Sequence, residues 1–576
     1  MKILERFLNN DKLTLTPFLL ITVASTSLFS ARRIAYYDFN FITNAVHRMA
    51  LGQLPYRDFD LVLPPVTFLP VYVFHHFLSL PLGSAMYLSA VLTQVLALVA
   101  FYSILNSILR NRASGFEKSI FLISMLFASL VNVIAIYPNY IYDSVATMLA
   151  LTSLAFFLKY LDSNKYQYFL CSIIFSILSF FTKFNMGGSL ILGICIVLGF
   201  EFAKNHSYKK TAKEAIGIAG LLGLATSLIA IFGLHTFIEQ TIIAPGKFKG
   251  VATFGQLAPY NQPLLILVMV AILTSLKFRS IQNLVTKCTL TIIGVGLGLC
   301  LLHNLTANES ADAFFDKVYP NANFTFPMFM LLALQILIYR RTSYKNYESA
   351  LLTIIPIYFF GTFLSQGWDG SSYSLNPMLI LLLAVIYSSL GLTEQSKLRA
   401  IVLATFILIG LNFLVTASNG GRLEYVADAG MRSQPFNWNS IGVATSRQDI
   451  DQAIEVKNFI EAANSGGYIV EFPAEDSLQD FSSILIPWNR CLQFTFICPS
   501  KSNQSLIEDF AADTPAVTII KKNSQIHRDI ESIVPVMELI LQTCLREVFS
   551  NATYIVYGQT KYSKECLKEL LRIKSE

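Results

Sequence analysis

Asp38, Asp143 and Lys183 each stand where a long apolar run of this 576-residue chain meets polar sequence. Charge is costly near hydrocarbon, so ionisable groups kept at such borders are candidates for function. Asp38 comes within one or two turns of the end of the first run, behind Arg32 and Arg33, at the head of the segment FNFITNAVHRMALG. That segment has an amphipathic helical rhythm in which Phe41, Ala45 and Met49 can face lipid. A carboxylate there reaches a lipid headgroup from one side and a water-borne acceptor from the other; the plainer alternative is a helix cap.

Asp143 opens an apolar run after YPNYIY, and Lys183 closes another in SFFTKFNMGG. A lone lysine at such a border often only snorkels to the interface. Gathered by helix packing, however, Asp38, Asp143 and Lys183 would make a charged cavity at the membrane surface, suited to one substrate from lipid and one from water. Arg32, Arg48 and Arg57 have the side chain that binds phosphate bidentately. Within GQLPYRDFD, Arg57 can instead pair with Asp58 or Asp60 to fix the loop, and Asp60 reads as loop structure. Trp368 beside Asp369 suits a sugar, an aromatic face next to a carboxylate. His75, His76 and His303 lack partners at a metal-binding spacing. No phosphate-cradling G-x-x-x-x-G-K-[ST] loop or dinucleotide fingerprint is present. No cofactor is certain from these residues, and a divalent cation is left open. The net charge of +6 is not gathered on one face, so nucleic acid is not an expected partner.

The elements that must position these residues are membrane helices. Of the chain, 54% is hydrophobic and 14% charged, with a mean hydropathy of +0.53; an average soluble domain is roughly 25% charged. Apolar runs near 13–31, 83–106, 119–137, 144–161, 167–182, 188–203, 214–233, 263–277, 287–303, 324–340, 350–365, 377–392 and 399–416 approach the ~20 residues needed to cross a bilayer. These predict thirteen crossings, with MKILERFLNNDK as the cytoplasmic lead of an uncleaved first helix. In that orientation the inner connections carry twenty Lys and Arg and the outer ones eight, a clear positive-inside bias. VTFLPVYVFHHFLSL, residues 66–80, is left out because counting it as a crossing would invert every later loop and put KNHSYKK outside. It is expected to lie in the outer interface or re-enter it, which makes 32–82 one long outer loop. The loop expected at 365–377 shares that outer face.

The order of these features resembles a known family. An outer-loop Asp38 follows the first crossing, a helix runs into ALGQLPYRDFD, Pro64-Pro65 opens an apolar stretch, Asp143 starts a helix and Thr182-Lys183 ends one. This looks like the integral-membrane GT-C glycosyltransferases, in particular the branch holding protein O-mannosyltransferases and lipid A aminoarabinose transferases. The resemblance implies transfer of a sugar from a polyprenyl-phosphate-linked donor to a lipid, glycan or protein acceptor outside the cytoplasm, with inversion at the anomeric carbon. It implies that Asp38 is the general base and that Lys183 and the loop arginines steady the departing phosphate. Phe39 follows Asp38 where many relatives have Glu, and Leu63 precedes Pro64 where many have Lys. The first departure leaves a second carboxylate unassigned, and the second removes a phosphate contact. Two other classes stay open, a transporter or flippase of lipid-linked saccharides and a non-catalytic assembly protein. Charge concentrated at outer helix ends, without an evident half-repeat, favours the transferase over the transporter.

Residues 1–416 are thus expected to form the transmembrane domain and 417–576 a small extracytoplasmic α/β domain, in a bacterial inner membrane. The terminal segments read as helix at 450–463, strand at 467–472, strand at 492–497, helix at 504–512, strand at 516–522, helix at 534–549 and strand at 553–559. Cys491, Cys498, Cys544 and Cys566 lie in this domain, where disulfides and free thiols are both open readings. The sequons at Asn304 and Asn551 have meaning only in a glycosylating compartment. A reporter fused after Arg112 should read inside and one after Gln240 outside; the reversed pair would undo this orientation.

Overall fold

The structure, a computed structural model, describes residues 11–30, 37–61, 63–110, 115–131, 140–206, 208–230, 233–243, 346–374, 376–390, 407, 447–463, 467–472, 485–487, 508, 510, 512–522 and 534–575. The expected crossings at 263–277, 287–303, 324–340 and, apart from residue 407, 399–416 lie outside these residues, as do Arg32, Arg33, His303, Asn304, Cys288, Cys300, Cys491, Cys498 and the strand at 492–497. Packing groups the chain into two units, one of 1–30, 90–226 and 248–428, the other of 31–89, 227–247 and 429–576.

The first unit is helical: α1 (Asp11–Ser30), most of α3 (Leu82–Leu105), α4 (Gly115–Ser129), α5 (Tyr142–Ser163), α6 (Tyr166–Phe180), α7 (Phe184–Asn205), most of α8 (Tyr208–Ala230), α9 (Asn346–Ser374) and α10 (Asn376–Leu390). Among the described residues, Leu82–Leu109, Tyr142–Ser163 and Phe184–Ala203 are long and apolar enough to cross a membrane, and four shorter apolar stretches accompany them. Where every surface is apolar, helices are specified by close backbone approach and by hydroxyl hydrogen bonds. Both devices recur. Ser153 Oγ lies 3.1 Å from Ser172 Oγ and 2.7 Å from Ser176 Oγ, and Ser179 Oγ donates to the Ala146 carbonyl at 3.1 Å, joining α5 to α6. Asn164, in the left-handed conformation at φ 52°, closes α5 so that α6 starts two residues later. Across α7 and α9, Gly361 leaves room for Ser189 and Gly193 for Ile354, so the two helices approach closely. One expectation is corrected here: α9 runs on to Ser374, so Trp368 and Asp369 are on a helix and not in a loop.

The second unit holds α2 (Tyr37–Ala50) and then a 3-10 turn (Pro65–Thr67), a single α-turn (Leu69–Tyr72) and a π-turn (Val73–Phe77). Within the segment 66–80 these turns follow one another directly, and the run is not among the described helices long and apolar enough to cross a membrane. Ala45, read from the sequence as facing lipid, is fully buried with Ile42 and Val46, so that face of α2 packs on protein.

The unit's terminal part comprises α11 (Arg447–Ala463), β1 (Gly467–Phe472), β2 (Leu485–Pro487), β3 (Val517–Lys521), α12 (Val534–Cys544), β4 (Arg546–Ser550), β5 (Tyr554–Gly558) and α13 (Ser563–Ser575). The sheet order is β2-β1-β3-β5-β4, with β1 parallel to β2 and β3 and the β3–β5–β4 pairs antiparallel. The helix expected over 534–549 is cut short: α12 ends at Cys544, and Arg546–Ser550 pairs with β5. Its helical periodicity is overridden by backbone pairing with a strand that follows it in sequence. Ile469, Ile519, Val556, Ile540 and Leu567 are fully buried in this part. Asn551 turns the β4–β5 hairpin: its Oδ1 accepts from the Thr553 and Tyr554 N–H groups, at 3.0 and 2.8 Å, and its Nδ2 donates to the Gln452 carbonyl at 3.0 Å. A sequon asparagine engaged on both sides of its amide is a structural residue.

Cys544 and Cys566 form a disulfide between the end of α12 and α13, their Cα atoms 5.5 Å apart and 22 residues apart in sequence. Cys171 and Cys195, inside α6 and α7, are free thiols. Closing a loop of that length stabilises the domain by about 3 kcal/mol. Denatured without reductant, the chain should therefore leave Cys544 and Cys566 unlabelled by maleimide, and reductant should lower the domain's unfolding midpoint. Full labelling before reduction would contradict the pairing.

Candidate functional site

In the first unit the corner of α5, α6 and α7 assembles around one lysine. Lys183 Nζ donates to Asp143 Oδ1, with the side chains only 7% and 6% exposed, and sits 5.0 Å from the centroid of the Tyr142 ring. Asp143 is in the first turn of α5, where unpaired N–H groups and the helix dipole favour a carboxylate. Lys183 stands between the end of α6, where the dipole favours a cation, and the start of α7, where it opposes one, and its own N–H donates to the Ser179 carbonyl at 2.9 Å. Thr182 Oγ1 donates to the Leu178 carbonyl at 2.9 Å, and Gly187 N–H to the Lys183 carbonyl at 3.1 Å. A Cβ at Gly187 would collide with the Phe180 backbone, so only glycine allows the tight α6–α7 turn that aims Lys183.

Two of the residues singled out from sequence are thus brought into contact from 40 positions apart. Asp38 is in the first turn of α2, in the other unit. Trp368 and Asp369 are on α9.

The second unit shows what the charged stretch after α2 does. Arg57 pairs bidentately with Asp58, Nε to Oδ1 at 2.9 Å and Nη2 to Oδ2 at 3.0 Å, while Asp58 Oδ2 also accepts the Leu54 N–H at 2.8 Å. The Arg57 side chain is 63% exposed, so its guanidinium remains open to water. Arg48 is buried: its Nε donates to Asn44 Oδ1 at 2.8 Å and its guanidinium lies 5.7 Å from the Phe59 ring centroid. Tyr56, fully buried and at a positive φ of 66°, is held by its hydroxyl donating to the Leu63 carbonyl at 2.7 Å. Asp60, also buried, accepts from Gln240 Nε2 at 2.7 Å, and Gln240 Oε1 accepts the Leu61 N–H at 2.9 Å.

His47 has a pKa pushed down to about 4, by burial first and then by His75 and Arg48, and is neutral at ordinary pH. Asn44, Tyr56 and Gln240 were missed in the sequence. Nothing local marks Gln240, whereas the left-handed Tyr56 is hinted at by the turn residues around it. Among the described residues, no three His, Cys, Asp or Glu gather as metal ligands.

Removing one partner of a buried ion pair strands the other and costs about 3–5 kcal/mol, whereas an apolar pair of similar volume is often tolerated. Asp143→Asn or Lys183→Met alone should therefore destabilise the chain strongly. The double change Asp143→Leu with Lys183→Met should restore thermal stability close to the parent. If the double variant is no more stable than either single one, the pair is not the coupled unit described.

No protein-family model and no curated protein sequence matches the chain. Among solved structures, the chain is similar to ArnT from Cupriavidus metallidurans in the apo state, with 10% identity over 95% of this chain and 98% of that one and a TM-score of 0.40. It is similar also to ArnT from the same organism bound to undecaprenyl phosphate, with 8% identity over 96% of this chain and 99% of that one and a TM-score of 0.42.

Proposed function

We propose that the chain is a membrane glycosyltransferase that moves a sugar from a polyprenyl-phosphate-linked donor to an acceptor hydroxyl on the extracytoplasmic face. The observation that carries this reading is the buried Asp143–Lys183 pair at the ends of apolar helices. A protein with only a span to stabilise has no need of an ion pair that costs desolvation, whereas one that handles a lipid-linked phosphate needs a fixed cation at that depth. The resemblance carried by Asp38, PYRDFD, Pro64-Pro65 and Thr182-Lys183 supports the same chemistry.

In this reading the Asp38 carboxylate takes the proton of the acceptor hydroxyl as its oxygen attacks the anomeric carbon from the face opposite the phosphate. The bond from that carbon to the phosphate oxygen breaks, and the electron pair leaves with the polyprenyl phosphate. Inversion follows from the single displacement. The leaving group departs as an anion, so the reaction asks the protein for a cation more than for an acid. Lys183 supplies it by sharing its ammonium between Asp143 and the phosphate. Arg57, exposed and already paired, is a further cation able to meet the headgroup, while Arg48 is assigned to holding the loop. No step is routed through a divalent cation.

The test is transfer by the purified protein in lipid, with a panel of polyprenyl-phosphate sugars. Wild type should transfer from at least one donor, and Asp38→Asn should lose roughly 10²–10⁴-fold in rate, the usual contribution of a general base. Equal transfer by folded wild type and variant would remove Asp38 from the mechanism. A wild type inert toward every donor would return the chain to the transporter or assembly classes.

A further inference from the structure

Two short segments of the second unit share a property that the catalytic reading does not use. In residues 69–78, Leu69, Val73, Phe77 and Leu78 are exposed; in residues 234–243, Leu234, Ile238, Ile242 and Ile243 are, all eight between 36% and 68%. Such rows of large apolar side chains in contact with water are unfavourable, at about 25 cal/mol per Å².

The segment 234–243, an α-turn (Leu234–Ile238) continued by a π-turn (Glu239–Ile243), has three distinct sides. Phe237, Gln240 and Thr241 are buried against protein. Leu234, Ile238 and Ile242, spaced four apart, form the exposed apolar side. His235 and Glu239, also four apart, face solvent with His235 Nδ1 and Glu239 Oε2 3.9 Å apart. A helix with one side on protein, one apolar and one charged fits a membrane surface, where it meets protein, acyl chains and water at once.

Along the chain both segments adjoin helices read from the sequence as crossings, which puts them beside the membrane surface. Gly233 N–H donates to the Ala230 carbonyl at 3.2 Å, so Leu234 follows directly from the end of α8, which coincides with a predicted crossing. Four residues span at most ~14 Å, comparable to the depth of a headgroup region. Likewise Leu80 N–H donates to the Phe74 carbonyl at 3.2 Å, His75 Nδ1 meets the Leu80 carbonyl at 2.8 Å, and α3 begins two residues later. The turn Leu69–Tyr72 packs against α2, and the segment 234–243 is tied to the loop that follows α2. Gln240 bonds both Asp60 and Leu61, and the Phe237 ring meets Tyr56 edge-on at 5.0 Å.

We infer that residues 69–78 and 234–243 form one membrane-seated platform, linked through Gln240 to the loop that carries Arg57, with the acyl chains of the bilayer surface as the occupant of its apolar side. The lipid thereby fixes the height of that loop, and Gln240 transmits it between segments 180 residues apart.

The full chain in phosphatidylcholine vesicles tests this with single tryptophans added at the platform, Phe77→Trp and Ile242→Trp, and at its charged side, His235→Trp, each read as the difference from the parent. Lipids brominated on their acyl chains should quench the fluorescence added at 77 and 242 at least twofold more than that at 235, and aqueous iodide should show the reverse order. Iodide reaching 77 or 242 as readily as 235 would overturn the platform. So would shielding of 77 and 242 from both quenchers, the result expected if a second copy covered them. Adding Gln240→Met to the Ile242→Trp chain should raise its iodide quenching at least twofold while circular dichroism holds; no change would remove Gln240 as the link.

Discussion

A lysine ammonium held by one aspartate inside apolar surroundings is the interaction on which the first unit turns. Asp143 and Lys183 are each more than nine-tenths buried, and neither tolerates that position alone. Their meeting requires that α5 start where α6 ends. The serine contacts of α5 with α6 and the glycine at 187 meet that requirement. The α5 dipole favours the carboxylate at its N-terminus, while Lys183 stands between the end of α6 and the start of α7, whose dipoles oppose each other there, so the pair rests on Asp143 itself. A corner built this way holds a buried, mutually neutralised ion pair at a helix end.

The second unit solves a different problem with neutral contacts. Its loop after α2 must hold a turn containing Tyr56 at positive φ, a conformation that costs a side-chain-bearing residue about 1–2 kcal/mol. Burial of the ring, the bond from its hydroxyl to Leu63 and the edge contact with Phe237 offset that cost. The charges that make the stretch conspicuous are mostly occupied with one another and with backbone: Asp58 caps Leu54 while holding Arg57, and Asp60 receives Gln240. Arg48 stabilises the loop from inside, bonded to Asn44 and over Phe59. A dense run of charge near a membrane is thus largely a device for folding irregular backbone, with Arg57 left open to water.

Much of the helical layout is legible from hydropathy because membrane insertion sums a local property over about 20 residues. The runs at 83–106, 144–161, 167–182 and 188–203 fall within a few residues of α3, α5, α6 and α7. The borders of those runs also flag Asp143 and Lys183. The terminal strands β1, β3 and β5 are visible as β-rich segments, but β4 is not, since its sequence continues a helical rhythm that only pairing with β5 interrupts. The loop expected around Trp368 fails for a related reason: polar and glycine residues there lower hydropathy without breaking the helix that the preceding turns propagate.

The sequence by itself therefore determined where the chain is apolar enough for a membrane, which charges sit at the borders, and which turns the PYRDFD stretch invites. Only the tertiary structure decided who meets whom: Lys183 with Asp143, Gln240 with Asp60, Cys544 with Cys566, and Arg48 with Asn44. Hydropathy and turn preference are sums over neighbours along the chain. An ion pair or a hydrogen bond depends on two side chains converging from distant positions, and no local property of either one encodes that convergence.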